Sequence, residues 1–183
     1  SSAAEWFEAD QSYWGASRNG ATQAQQSSAD YIDAGWGVDG IGYGDDFAGV
    51  WVNLKAERAI DVFGGEDTIK GVENVDGSNF GDTIIGSDGA NWISGDAANW
   101  GAPRTAGSPS SGDYLDGGAG RDTVSYKNDT AAVTVNLQTG SATDGFGGQD
   151  TLVGFEWVEG SAYGDRITGD IGRNSLSGLA GND

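Results

Sequence analysis

The chain has no cysteine, no methionine and no histidine, and only 2 prolines. Without thiols or imidazoles there is no disulfide, no Ser-His or Cys-His pair, and no zinc site of the usual sulfur and nitrogen kind. The lack of cysteine leaves the compartment open, because oxidising environments permit disulfides without requiring them. No run of about 18 apolar residues occurs, so no membrane-spanning helix or membrane insertion is expected. No apolar signal-peptide core opens the chain. Cations are scarce as well: 9 Lys and Arg face 28 Asp and Glu, a net charge of −19. Such a chain is not expected to bind nucleic acid phosphates or an anionic membrane surface. It repels itself when compact unless cations neutralise it.

What is abundant is glycine, 33 of 183 residues. No three-residue period accompanies it, which excludes collagen. With 7 Trp, 6 Tyr and 6 Phe beside regular Val, Ile and Leu positions, the composition is also not that of a disordered chain. The stretch Gly117-Gly118-Ala119-Gly120-Arg121-Asp122-Thr123-Val124-Ser125 runs Gly-Gly-x-Gly-x-Asp-x-aliphatic-x. That is the layout of the calcium-binding nonapeptide of parallel β-helices. Glycines allow a tight turn that brings backbone carbonyls toward one point, the Asp adds a carboxylate, and the aliphatic residue begins a short buried strand. One loop supplies only part of the six to eight oxygen ligands that Ca²⁺ takes, so a neighbouring turn must supply the rest.

The neighbours come from an internal repeat. Ala48-Gly49-Val50-Trp51-Val52-Asn53-Leu54 falls on Ala131-Ala132-Val133-Thr134-Val135-Asn136-Leu137 at an offset of 83 residues. The same offset carries Gly64-Gly65-Glu66-Asp67-Thr68 onto Gly147-Gly148-Gln149-Asp150-Thr151, and Gly81-Asp82 onto Gly164-Asp165. Without a gap, residues 27–100 match 110–183, with roughly half of the core positions identical. Two tandem units are therefore expected, joined by a Pro-containing loop at 101–109. Residues 1–26 match the tail of a preceding unit plus a connecting loop, since Trp6 falls on Trp92 and Asp10 on Asp96 at an offset of 86. Both ends look cut from a longer array.

Within a unit the segments are short and interrupted by glycine, which argues against long helices; residues 3–10 carry the nearest thing to helical spacing. Val50–Leu54 and Val133–Leu137 alternate as half-buried strands do. Further short strands are expected at Asp67–Ile69, Val72–Val75, Thr83–Ile85 and Asn91–Ile93, and at their counterparts in unit two. Single inward aliphatics between frequent turns indicate stacked parallel strands whose core is closed by stacking. Trp14 and Trp100 mark two small-residue loops. Their indoles are expected either to fold back over the flank or to contact a glycan or protein surface.

These residues resemble the hemolysin-type calcium-binding (RTX) repeats of bacterial proteins exported by type I secretion. Each unit looks like the start of the C-terminal β-roll of serralysin-type secreted metalloproteases. The resemblance rests on Val133–Leu137, Asp150-Thr151-Leu152, Phe155-Glu156-Trp157-Val158, Gly160-Ser161, Gly164-Asp165 and the stretch from Gly169 to Asp183. It implies an all-β fold, a right-handed parallel β-roll or β-helix built from tandem units, a calcium-binding solenoid that is secreted and folds outside the cell. In such a roll, loops 18 residues apart stack on one edge. Asp165 and Asp183 are then expected to face one ion, with carbonyls from Gly160, Ala162, Gly178 and Ala180. Asp150 with Asn174, and Asp67 with Asn91, are candidates for the opposite edge. Asp82 lacks a carboxylate partner, because Trp100 stands where Asp183 does. Asp122 and Asp39 head the units, with carbonyls from Gly118, Gly120 and Gly35. Unit one departs from the pattern at Ala34-Gly35-Trp36-Gly37-Val38-Asp39, so its sites are expected to be weaker or missing. Glu73 and Glu156 recur at one place, as ligands or as strand caps, and Ser78 and Ser161 are assigned to turns.

The expectation is a noncatalytic, extracellular or cell-surface segment that folds on binding Ca²⁺ and serves a structural or adhesive role, in an adhesin, surface layer or filament. The alternative is the secretion and folding module of an exported hydrolase. No enzyme is expected within this chain, because its acidic residues recur unit by unit, whereas paired carboxylates that hydrolyse glycosides form one unrepeated cleft. An open strand edge would admit self-association into a fibre or layer.

Overall fold

The computed structural model describes the backbone of residues 6–8, and residues 29–44, 46–62, 64–96 and 111–183. Trp14, Trp100 and the loops that hold them lie outside the described residues. Everything regular that is described is strand. The strands are β1 (Trp6–Glu8), β2 (Tyr31–Asp33), β3 (Gly40–Gly42), β4 (Trp51–Asn53), β5 (Arg58–Ile60), β6 (Glu66–Lys70), β7 (Asn74–Asp76), β8 (Thr83–Ile85) and β9 (Trp92–Ser94). They continue as β10 (Tyr114–Asp116), β11 (Thr123–Ser125), β12 (Thr134–Asn136), β13 (Ser141–Thr143), β14 (Gln149–Val153), β15 (Trp157–Glu159), β16 (Arg166–Thr168) and β17 (Ser175–Ser177).

They form two sheets. One has seven strands in the order β1-β3-β7-β9-β11-β15-β17, and its pairs are all parallel. The other has ten strands in the order β16-β12-β13-β14-β10-β8-β4-β5-β6-β2. From β6 to β12 the chain alternates between the sheets, one short strand at a time. Three residues suffice because each strand contributes its middle side chain to the interior, as a two-residue period dictates. Ile41, Val75, Ile93, Val124 and Val158 line up in register across the seven-stranded sheet, all at most 1% exposed. Val52, Ile84 and Leu115 do the same in the other sheet, each fully buried. Both rows belong to one core cluster. Each such side chain contributes about 1.5–3 kcal/mol by leaving water.

The pairing is not parallel throughout. β4-β5-β6 and β12-β13-β14 are antiparallel excursions in the ten-stranded sheet. The first turn of each is closed by an Asn side chain, Asn53 accepting from the Ala56 N–H at 2.9 Å and Asn136 from the Thr139 N–H at 3.1 Å. A left-handed residue follows, Glu57 in one unit and Gly140 in the other. The sequence reading of a wholly parallel stack is corrected here: β5 and β13 are extra strands whose only core side chain is an alanine, Ala59 or Ala142.

The segment with near-helical spacing is corrected too. Trp6–Glu8 is a strand, paired with β3 in the register Trp6↔Gly40. β9 meets β11 in the same way, Trp92↔Thr123. Pairing with a neighbouring strand outweighs a weak local preference.

Candidate metal centre

Most acidic residues singled out by sequence sit just before a strand, in the turn that delivers the chain from one sheet to the other. The tightest of these turns follow one rule: the side chain of residue i+4 caps the N–H of residue i. Asp82 takes the Ser78 N–H at 2.6 Å, Asn91 the Ser87 N–H at 2.7 Å, Asp165 the Ser161 N–H at 2.6 Å and Asn174 the Asp170 N–H at 2.8 Å. Ser78 and Ser161, both fully buried, add their hydroxyls to the Asp82 and Asp165 carboxylates. They are turn residues, as expected.

The same oxygens also tie successive layers together. In the ten-stranded sheet the Val50 N–H donates to Asp82 at 2.7 Å, the Asp82 N–H to Asp113 at 2.8 Å, and the Asp113 N–H to Asp150 at 3.0 Å. In the seven-stranded sheet the Asn91 N–H donates to Asp122 at 2.8 Å and the Asp122 N–H to Glu156 at 3.1 Å. The ladder repeats at the 83-residue offset. Val133 N–H to Asp165 reproduces Val50 to Asp82, Asp30 N–H to Asp67 anticipates Asp113 to Asp150, and Asp39 N–H to Glu73 anticipates Asp122 to Glu156. Carboxylate acceptors make such bonds short and strong. Glu73 and Glu156 are therefore strand caps in this structure.

Asp165 and Asp183 are brought together, the Asp165 N–H donating to Asp183 Oδ1 at 2.9 Å. The loop holding Gly178 and Ala180 lies over the one holding Gly160 and Ala162, so closely that a Cβ on Gly181 would meet the Tyr163 carbonyl. Asp150 and Asn174 are not neighbours in register. Asp150 is in β14 of the ten-stranded sheet and Asn174 precedes β17 of the other; Asp67 and Asn91 stand in the same relation. Asp150 instead accepts from Tyr126 Oη at 2.9 Å through its second oxygen. Burial and the Asp150 charge push the Tyr126 hydroxyl's pKa up.

The partner that sequence reasoning did not find for Asp82 is Asp113. The signal was present, because Gly112-Asp113-Tyr114-Leu115 repeats the Gly-Asp-x-aliphatic form of Gly81-Asp82-Thr83-Ile84. It was hidden by spacing. Asp113 follows Asp82 by 31 residues, whereas Asp183 follows Asp165 by 18. Burial first, then the Asp82, Asp150 and Asp144 charges, push the Asp113 carboxyl up to about 9.

Asp122 differs from the rest. It is fully buried, its Oδ1 takes the Asn91 N–H, and its Oδ2 has no hydrogen-bond partner. Burial, with the Glu156 and Asp116 charges, pushes it up to about 6, against the lowering effect of the Asn91 N–H. The glycines before it hold positive φ, +86° at Gly118 and +140° at Gly120. A Cβ on Gly118 would collide with the Ser87 carbonyl oxygen, and one on Gly120 would stand 2.6 Å from that of Gly89. The Gly118 carbonyl in turn closes on Gly154. Asp39 has the same loop one unit earlier, with Gly35 at φ +84° and Trp36 almost wholly exposed, but no described residue lies within 4 Å of a Cβ on Gly35.

Among the described residues no three acidic side chains converge as ligands of one ion would. The sets expected from sequence contain at most two carboxylates, the rest being backbone carbonyls. Asp122 offers a buried carboxylate oxygen, and the adjoining 86–90 and 117–120 loops pack closely enough that Gly86, Gly118 and Gly120 cannot carry a Cβ. An all-oxygen set of this kind suits a hard cation and not a thiophilic one. No family model matches the chain, and neither does any curated protein.

Proposed function

We propose that this chain is a noncatalytic, calcium-stabilised parallel β-roll segment of a secreted or cell-surface protein, with a structural role. The observation that carries the reading is the Asp122 carboxylate: fully buried, with one oxygen lacking any hydrogen-bond partner, inside a loop shaped by positive-φ glycines. An ionised carboxylate left so costs several kcal/mol unless something positive compensates it.

Asp122 would hold the ion with carbonyl oxygens of the 86–90 and 117–120 loops, while Glu156 fixes the Asp122 backbone from the next layer. A bound divalent cation would offset part of the chain's net charge of −19. The chain's own contribution is to hold the loops in register through the carboxylate ladder, so that binding free energy becomes folding free energy.

The test is calorimetric titration of Ca²⁺ into the wild type and Asp122→Asn, with far-UV circular dichroism reporting the fold of both. The tightest binding event should disappear in the variant while its strand signal at saturating Ca²⁺ persists. Identical isotherms would remove Asp122 as a ligand and the reading with it.

A further inference from the structure

The inward row of the seven-stranded sheet repeats from unit to unit, but its outward face does not. Trp157 and Glu159 flank the buried Val158 in β15, so both point to the outer face. Register puts Thr123 and Ser125 of β11 beside them, and Trp92 of β9 beyond Thr123. Trp92 reaches back across β11. Its Nε1–H donates to Glu159 Oε2 at 3.0 Å, and the Ser125 hydroxyl donates to the same oxygen at 3.0 Å. The Lys127 N–H donates to Ser125 Oγ at 3.4 Å, and the Lys127 ammonium stands 4.6 Å from the Trp92 ring centroid.

Nothing in the fold calls for this set. At the 83-residue offset Trp157, Glu159, Ser125 and Lys127 fall on Asn74, Asp76, Gly42 and Gly44, while Trp92 falls on Ser175. A backbone plan that is built with glycine and asparagine at these places does not need two indoles and an ammonium there. The groups are also held without being used up. Trp157 is 43% exposed, and Lys127 is exposed. Among the described residues Glu159 Oε1 carries no hydrogen bond, the Trp157 indole N–H has no partner and the Lys127 ammonium forms no ion pair. Two donors fix the Glu159 carboxylate before any ligand arrives, so little side-chain freedom is lost on binding.

From this geometry we infer that the outer face at β11 and β15 binds a neutral oligosaccharide. One pyranose lays its C–H face on the Trp157 indole, whose π face is negative. A hydroxyl of that ring donates to Glu159 Oε1, and the Lys127 ammonium donates to a hydroxyl of the next ring. One exposed indole among polar groups is too small for a stable protein interface, which buries about 800 Å² per partner, but it matches one face of a sugar ring. A net charge of −19 opposes sulfated or phosphorylated glycans. The inference is independent of the cation reading.

The probes are cellohexaose, maltohexaose, mannohexaose and N-acetylchitohexaose, titrated calorimetrically into the intact chain with Ca²⁺ present, and a sulfated hexasaccharide for comparison. At least one neutral sugar should bind saturably, and the sulfated one more weakly. Trp157→Ala should abolish that binding without lowering the unfolding temperature, and Trp157→Phe should keep part of it. Glu159→Gln should weaken it about tenfold, because a charged acceptor is lost. Trp36→Ala removes a more exposed indole from unit one and should leave the affinity unchanged. The inference is overturned if no neutral probe binds saturably, if the sulfated probe binds more tightly, or if Trp157→Ala binds as the wild type does.

Discussion

The two units share a backbone plan and differ in how well each is covered. Asp122, at the head of unit two, sits against the described loops 86–90 and 154–156, and its Oδ2 is fully buried. Asp39, its counterpart, is just as buried at 1% exposed, but heads a loop whose Trp36 and Val38 are 92% and 58% exposed. The same contrast separates Asp113, buried at the junction, from Asp30, partly buried at the start of unit one. A repeat therefore does not confer equal chemistry on equal residues. What a carboxylate does here depends on whether another layer lies against it.

The largest expected effect is at Asp113. Its carboxyl is raised to about 9, so folding binds a proton that the unfolded chain, titrating near the usual value of about 4, gives up. Stability from this group is complete below about pH 4 and is lost as pH rises through about 9. Asp113→Asn keeps an oxygen for the Asp82 N–H and should stabilise the calcium-free protein by several kcal/mol near pH 8, as chemical denaturation at a series of pH values will show. Asp30→Asn, in a less buried place, should shift the midpoint far less.

Next comes Asp122→Asn, whose effect should change sign with calcium. In chelator its raised carboxyl costs stability as pH rises through about 6, a cost the amide removes. With saturating Ca²⁺ the same substitution should lower the unfolding midpoint, because the ligand is gone. Differential scanning calorimetry in both buffers measures both signs, and Asp39→Asn should give smaller shifts in each.

Backbone substitutions sharpen the comparison further. Gly118→Ala meets both a positive φ and the Ser87 carbonyl, and should cost about 3 kcal/mol; Gly35→Ala meets a positive φ with no described atom within 4 Å of the new Cβ, and should cost about 1 kcal/mol. The smallest effect is at Glu57, a left-handed residue where unit two has Gly140. Glu57→Gly should stabilise by about 0.5–1 kcal/mol in urea unfolding, and Gly140→Glu should destabilise by a similar amount.

Much of the fold was legible because one inward aliphatic per short strand leaves a period that survives in the sequence. Thr83–Ile85 and Arg166–Thr168 were placed to the residue, and β6, β7, β9, β14, β15 and β17 to within two residues. β5 and β13 were not, since Ala59 and Ala142 give no hydrophobic signal and their pairing is set by a turn. The repeat also revealed the equivalence of Trp6 and Trp92, which β1 and β9 reproduce in space. Asp82, Asp122 and Asp165 precede strands while Asp67 and Asp150 lie within them, and the partners of all five depend on which layers adjoin. Asp82 and Asp113 meet across an irregular 31-residue spacing, and Asp150 turns inward to Tyr126 instead of toward Asn174.

Thermal unfolding of the intact chain at neutral pH, in calcium and in chelator, tests the cation reading most directly. A ligand that binds only the folded state raises stability by RT ln(1 + [L]/Kd), about 2.7 kcal/mol at a hundredfold excess over Kd. The far-UV strand signal should melt at a midpoint that climbs with calcium concentration and falls, or is lost outright, in chelator. A midpoint that is the same in both buffers would show that the buried Asp122 carboxylate is accommodated without a cation.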